Sequence, residues 1–259
     1  MLIAVLAVCL GFASASVDAR TLAEVRQAGT LRVGVNPNFP PMSSYGKSNK
    51  LEGFDVDMAN EIGRALGVKV ELVPTPTAQR IPFLTAGRID ISLGALTITP
   101  ERQQVVDFTV PLHTETMSVL TTSKVQANSW RDLNRPEVTL VNMRGNTSVA
   151  LLKEKLPRAK VLLVDGNPDT VRALAQGRAD AMVENIDFFW RFTKSHPNVQ
   201  WRRIPEPILT KSCGIGVRKG NPTLRTAVDD VLRKLHADGT VGRTWEKWYG
   251  MPMTVPVKL

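Results

Sequence analysis

The sequence predicts an α/β fold with mainly parallel sheets, organised as two similar units. Three observations carry this. Short apolar strands alternate with amphipathic helices along most of the chain. The run from Leu84 to Ser92, in which a helix stops on Gly87 and a turn through Arg88 and Asp90 feeds a strand, recurs from Leu174 to Met182 with Gly177, Arg178 and Asp180. Each unit also opens one helix on residues suited to hold an anion.

The elements follow in order. Residues 1–19 are read as an export signal: Leu2 to Phe12 is apolar, and Val17 and Ala19 sit where an export peptidase reads, so cleavage is expected before Arg20. That run is too short to span a membrane stably. Leu31 to Val35 is a strand, and Gly53 to Met58 leads into a helix with Met58, Ile62 and Leu66 on one face, closed by Gly67. Val68 to Val73 is the next strand. Ile81, Phe83 and Leu84 open a helical segment that stops at Gly87, and Ile89 to Leu93 is a strand. The second unit repeats the plan. It has a strand from Val138 to Met143, a helix through Val149, Leu152 and Leu156, a strand from Val161 to Val164, and a helix from Thr170 to Gln176. Trp245, Trp248 and Tyr249 form a packing stripe on a terminal helix, and Asp57, Asp90 and Asp180 read as turn and cap residues.

The loop between Gly94 and Arg102 is the most informative segment. Thr99 is a natural N-cap, Pro100 fits the first helical position, and Glu101 favours the positive helix end. Arg102 opposes the dipole there, so it calls for a bound anion, and a guanidinium grips a carboxylate with two parallel hydrogen bonds. Thr97 adds a hydroxyl. In the second unit Gly145 permits a close approach, Asn146 or Thr147 can cap, and the first-turn amides of Thr147 and Ser148 point outward. Two helix N-termini, one per unit, are thus expected to close on one carboxylate.

Composition removes other classes. The 259-residue chain carries a formal charge of +9, or +10 once the signal and its Asp18 are gone. Its lysines and arginines are scattered among acids, with Arg202 and Arg203 the tight pair outside helices, so no nucleic-acid stripe is expected. Without Cys9, Cys213 stands alone. It reads as a buried inert thiol at a strand edge, with no internal disulfide. His113, His196 and His236 lack metal-ligand spacing, and no nucleotide fingerprint occurs, so neither metal nor cofactor is expected.

The blocks Gly29 to Val35, Pro40-Pro41, Leu51 to Ala59, Arg80 to Leu84, Gly87 to Asp90, Thr97 to Arg102, Phe108 to Pro111, Gly177 to Asp180 and Asp238 to Tyr249 occur in order and spacing over nearly all of residues 29–250. In them the chain resembles the extracytoplasmic solute-binding proteins of polar amino-acid ABC importers. The resemblance implies a two-lobed periplasmic-binding-protein fold of type II, with lobe one about 28–115 plus 211–259 and lobe two about 116–210. It implies a monomeric, periplasmic receptor that closes on a small carboxylate, most simply a polar or acidic amino acid, and delivers it to a membrane permease. Arg102 would pair with the α-carboxylate, helped by Thr97 and the Thr147 amide. The carbonyl of Ala95 and the hydroxyl of Thr97 would accept from an α-ammonium, Phe39 would cover the ligand side chain, and Asn36 would select its distal group. Asn146 borders the same loop.

One departure matters. Where the family places an aspartate for the α-ammonium, this chain has Asn185, preceded by Glu184. Glu184 could substitute only through a backbone shift, since strand neighbours face opposite ways, and Asp187 is a second candidate. Either the site is rewired or the ligand lacks a free α-amine. Arg80 and Arg144 near one pocket would suit an acidic ligand. A third reading keeps the scaffold but makes it a lyase resembling the cyclohexadienyl dehydratases, with Glu184 as the general acid if burial raises its pKa.

Overall fold

The structure, a computed structural model, describes residues 20–259, the side chains of Trp190, Arg191 and Pro205 excepted. The expected export signal, with Cys9, lies outside the described residues. The first half comprises α1 (Leu22–Ala28), β1 (Thr30–Val35), β2 (Asn38–Phe39), β3 (Ser43–Tyr45), β4 (Leu51–Glu52), α2 (Phe54–Leu66), β5 (Lys69–Pro74), α3 (Arg80–Thr85), β6 (Ile91–Ser92) and α4 (Pro100–Gln103). The long β7 (Val106–Thr122) crosses to a second half of β8 (Thr139–Met143), α5 (Thr147–Lys155), β9 (Lys160–Val164), α6 (Asn167–Ala175), β10 (Ala181–Asn185) and α7 (Ile186–Ser195). An equally long β11 (Trp201–Arg218) returns, and α8 (Pro222–Ala237) and α9 (Thr240–Tyr249) finish on the first half.

The main sheet has eight strands in the order β5-β1-β6-β11-β7-β10-β8-β9. Its outer triads, β5-β1-β6 and β10-β8-β9, are each parallel. The crossing strands β7 and β11 run antiparallel to each other at the centre. Two βα units are therefore joined through one pair of long strands, which makes a two-lobed α/β molecule. Cys213 is 1% exposed, as expected, but its expected edge position is corrected: β11 lies between β6 and β7, so the thiol sits inside the sheet.

The repeated turn has one physical job in both halves. Gly87 and Gly177 take positive φ (65° and 72°) and end α3 and α6. The following aspartate then closes a reciprocal pair with the first parallel strand of its own half. Asp90 donates its amide to the Arg32 carbonyl at 2.9 Å and accepts the Arg32 amide at 2.7 Å. Asp180 does the same with Thr139, at 2.7 Å in both directions. Arg20 and Arg32 neutralise Asp90 further. These aspartates fasten strands, and Asp57, held by Lys247 and Trp248, fastens α9 to α2. On α9 Trp245 and Tyr249 stack face to face at 3.9 Å and are fully packed, so the terminal stripe is structural.

Candidate functional site

The site forms where the loop after β6 meets the loop after β8, against the middle of the crossing strands. Gly94 and Ala95 take positive φ (92° and 52°), which turns the chain so that Thr97 bridges to Cys213 on β11. Thr99 caps α4, accepting the Arg102 amide at 3.3 Å. This helix is a single turn and its cap consumes that amide, which leaves the guanidinium, and not the helix amides, as the group placed to meet an anion. Arg102 donates from Nη1 to the Thr97 carbonyl at 2.9 Å and from Nη2 to the Gly145 carbonyl at 3.3 Å. Burial lowers its pKa from the usual value. Among the described residues its guanidinium bonds only to carbonyls, never to a carboxylate.

Gly145 belongs to the other half. Its φ is +78°, and a Cβ there would meet the Ala78 backbone at 2.9 Å, so the two halves touch at this residue. Asn146 caps α5, accepting the Ser148 amide at 3.1 Å, while its Nδ2 donates to Glu184 Oε2 at 3.1 Å. The hydroxyls of Thr97 and Thr147 meet at 3.0 Å across the junction. Thr97, Arg102, Asn146 and Thr147 border a cavity of about 700 Å³ that runs outward along α5 past Met117 and Leu209. The loop residues expected from the sequence do converge.

Other expected residues stand differently. Arg80 is 4% exposed and its guanidinium is taken up by carbonyls: Thr77 at 2.9 Å, Gly94, Ala95 at 3.2 Å and Gly145 at 3.5 Å. Burial, then Arg102 nearby, pulls its pKa down to about 9. The Ala95 carbonyl thus already has a donor. Arg144 is a correction: it is exposed and pairs with Asp165 at 3.1 Å, because the strand that ends at Met143 turns its next side chain outward. Asn36 is buried but committed, donating to Thr77 Oγ1 at 2.7 Å and accepting the Asn38 amide at 3.0 Å. Phe39 is buried and stacks on Phe188 of α7 at 4.9 Å and 17°, joining the halves.

The acids bring the second correction. Asn185 ends β10, and its Oδ1 accepts the Thr116 amide at 3.1 Å and the Asp187 amide at 3.4 Å, so it is the N-cap of α7. Asp187 is held by Thr254 of the C-terminal tail. Glu184 reaches Asn146 directly; its Oε1 accepts the Asn185 amide at 2.9 Å, and burial pushes its carboxyl up to about 8. The acid absent from the sequence reading is Glu115 on β7, 4% exposed and bordering the cavity. Its Oε1 accepts from Thr97 Oγ1 at 2.6 Å. Burial raises its pKa, opposed by the Thr97 bond and by Arg102. No local signal marked it: β7 also carries Asp107, and the burial of Glu115 is set by the neighbouring strands.

Among the described residues no group of three or more His, Cys, Asp or Glu is placed to hold a metal ion, and no helix is long and apolar enough to cross a membrane. What the arrangement offers is a guanidinium, hydroxyls and the Glu115 carboxyl around one small space, with Glu184 bonded to Asn146 beside it, suited to holding a small polar molecule between two halves.

Comparison with known proteins agrees. The model of the bacterial extracellular solute-binding proteins, family 3, matches residues 31–251. The L-cystine-binding protein TcyJ of Escherichia coli (strain K12) is 30% identical over 246 residues, covering 92% of this chain and 89% of that protein. The glutamine-binding protein of Geobacillus stearothermophilus is 30% identical, over 79% of this chain and 78% of its own length. Among solved structures, the ancestral amino acid-binding protein AncCDT-1, a precursor of cyclohexadienyl dehydratase, superposes with a TM-score of 0.82 at 36% identity, covering 88% of this chain and 99% of that one. The solute receptor for L-cysteine of Neisseria gonorrhoeae also gives 0.82, at 29% identity over 88% of this chain and 93% of its own. Relatives of this family bind amino acids and serve ABC transporters. The chain belongs to the family 3 bacterial extracellular solute-binding proteins and has their two-lobed type II fold.

Proposed function

We propose that this chain captures a small amino acid in the periplasm by its α-carboxylate and delivers it to the permease of an ABC importer. The observation that carries this reading is Arg102, a half-buried guanidinium at the junction of both halves whose hydrogen bonds, among the described residues, are all to carbonyls. The lobes divide within the crossing strands, near 115/116 on β7 and 210/211 on β11. Lobe closure is the mechanism: a ligand held by both lobes favours the closed form, which the permease reads. The reasons for favouring an acidic ligand weaken, since Arg144 lies on the surface and Arg80 is occupied by carbonyls. A neutral side chain lying against Met117 and Leu209, which border the cavity, fits better.

Thermal unfolding of refolded, ligand-stripped protein against amino acids, dicarboxylates, keto acids and prephenate tests this, because a ligand that binds only the folded state raises the midpoint. Arg102→Met removes two charge-assisted hydrogen bonds, worth about 1.5–3 kcal/mol each, so affinity should fall on the order of a thousandfold. The variant's own midpoint should stay near that of the parent. Undiminished ligand shifts in Arg102→Met would rule the site out. A lyase reading has one observation in its favour, the buried Glu184 carboxyl that keeps its proton near neutrality. Turnover of prephenate or arogenate, lost in Glu184→Gln, would establish that reading instead.

A further inference from the structure

Glu115 and Arg102 border one cavity from different elements, β7 and α4. Thr97 stands between them. Its hydroxyl donates to Glu115 Oε1 at 2.6 Å, and its carbonyl accepts from Arg102 Nη1 at 2.9 Å. The acid and the base therefore face one space without an ion pair to each other. A buried carboxyl and a half-buried guanidinium that share a cavity but no hydrogen bond compensate each other only in part. The molecule that completes them carries an anion for Arg102 and a cation for Glu115 a few ångströms apart.

Neighbouring groups do not take over this task. Asn185 has its oxygen committed to Thr116 and Asp187. Glu184 accepts from the Asn185 amide and from Asn146, and it is Asn146, not Glu184, that borders the cavity. Asp187 faces the C-terminal tail. Lys211 lies opposite Glu115 in the β7–β11 register and borders the same cavity, yet among the described residues it forms no hydrogen bond or ion pair with Glu115.

We infer that Glu115 anchors a primary ammonium on the ligand, which makes the ligand an α-amino acid and not a carboxylate that lacks an amine. This rests on the reading of Arg102 as the carboxylate grip. A 2-hydroxy acid satisfies Arg102 but leaves Glu115 without a cation.

The test is calorimetric titration of refolded parent, Glu115→Gln, Glu115→Asp and Glu184→Gln with the L-amino acids and L-cystine, each binder paired with its 2-hydroxy analogue. The parent should prefer the amine by at least about a hundredfold, consistent with a buried charge-assisted contact. In Glu115→Gln that preference should shrink to about tenfold or less, through lost affinity for the amino acid and unchanged affinity for the hydroxy acid. Glu184→Gln should keep it. A full preference retained in Glu115→Gln, or a parent that binds both analogues equally, overturns the inference while leaving the Arg102 site standing. If Glu115→Gln fails to fold, Glu115→Asp decides: its shorter arm withdraws the carboxylate, and an undiminished preference overturns the inference. Should no compound in the panel bind the parent, both readings fall.

Discussion

Replacing Gly145 with alanine separates the stability of the fold from the closure of its lobes. Gly145 sits at φ +78°, a conformation that costs an L-residue roughly 1–2 kcal/mol. That cost applies whether the lobes are open or closed, so it appears as a lower unfolding midpoint. The added methyl also lands 2.9 Å from Ala78 Cα and 3.2 Å from Ala78 N. Carbon atoms in contact prefer about 3.5–4.0 Å. The obstacle is backbone of the opposite lobe, which cannot rotate aside, so relief requires the lobes to separate. Overpacking of this kind costs about 1–3 kcal/mol, and here it burdens the closed form alone. Affinity should therefore fall by roughly fivefold to 150-fold. Gly177→Ala is the matched control: its φ is +72°, but its Cβ would have nothing within 4 Å, so it carries the first cost without the second. Calorimetric titration and thermal unfolding of both variants, with small-angle scattering of the liganded forms, read the two effects independently. If both variants lose the same midpoint and Gly145→Ala binds as tightly as the parent, the lobes do not meet at Gly145 in the complex, and the closure argument is wrong.

Phe39→Ala deletes the stack on Phe188 that joins the lobes. An aromatic pair contributes about 0.5–1.5 kcal/mol beyond its buried area, so titration should register at least a several-fold weaker complex; unchanged affinity would place Phe39 in the core alone. Burial holds Asp55 and Glu184 at about 8 in the folded protein. At low pH folded and unfolded chains both keep these protons. As pH rises toward 8 only the unfolded chain releases them, so stability falls across that window, by up to about 1.4 kcal/mol per pH unit for each group. Midpoints measured from pH 6.5 to 8 should decline, and Glu184→Gln should flatten part of the decline; an identical slope would mean that Glu184 is ionised in the native protein. His113, which burial lowers to about 4, adds the opposite trend below its ordinary range, where acid destabilises the fold.

Local signals in the sequence carried a long way. The Thr99–Pro100 helix start, the Gly145–Thr147 turn and the paired aspartate turns at Asp90 and Asp180 are set by residues adjacent in the chain, and the structure forms each of them. The misjudged residues were decided by contacts distant in sequence. Arg144 finds Asp165 through the pairing of β8 with β9. Arg80 is drawn to carbonyls of the Gly94–Ala95 turn and of Gly145. The acidic face of the site depended on register. Strand alternation made Asn185 and Glu184 alternatives, and the choice fell to α7, which begins at Ile186 and requires Asn185 as its cap. Glu115 was illegible for a related reason: nothing local distinguishes an acid in the middle of a 17-residue strand from one on a solvated edge.

Several contacts join the lobes without help from a third molecule. One carbonyl, that of Gly145, receives bonds of 3.3 Å and 3.5 Å from Arg102 and Arg80. Thr97 meets Thr147 at 3.0 Å, and Thr77 meets the Met143 sulfur at 3.8 Å. Long or sulfur-directed hydrogen bonds are weak; firmer links are Phe188 against Phe39 at 4.9 Å and against Tyr249 at 5.5 Å, with Asp187 accepting from Thr254. A ligand shifts a two-lobed receptor only through its differential contacts with the open and closed forms. Carrying such a device from 1:99 to 99:1 requires about 5.5 kcal/mol. One bidentate carboxylate at Arg102 supplies about 3–6 kcal/mol gross, before the ordering of ligand and lobes is subtracted. An ammonium at Glu115 adds a charge-assisted bond and relieves a buried acid. Selection can thus operate through closure as well as through fit: a molecule that engages only one of the two charges enters the cleft but leaves the lobes short of the shift, and one that engages both completes it.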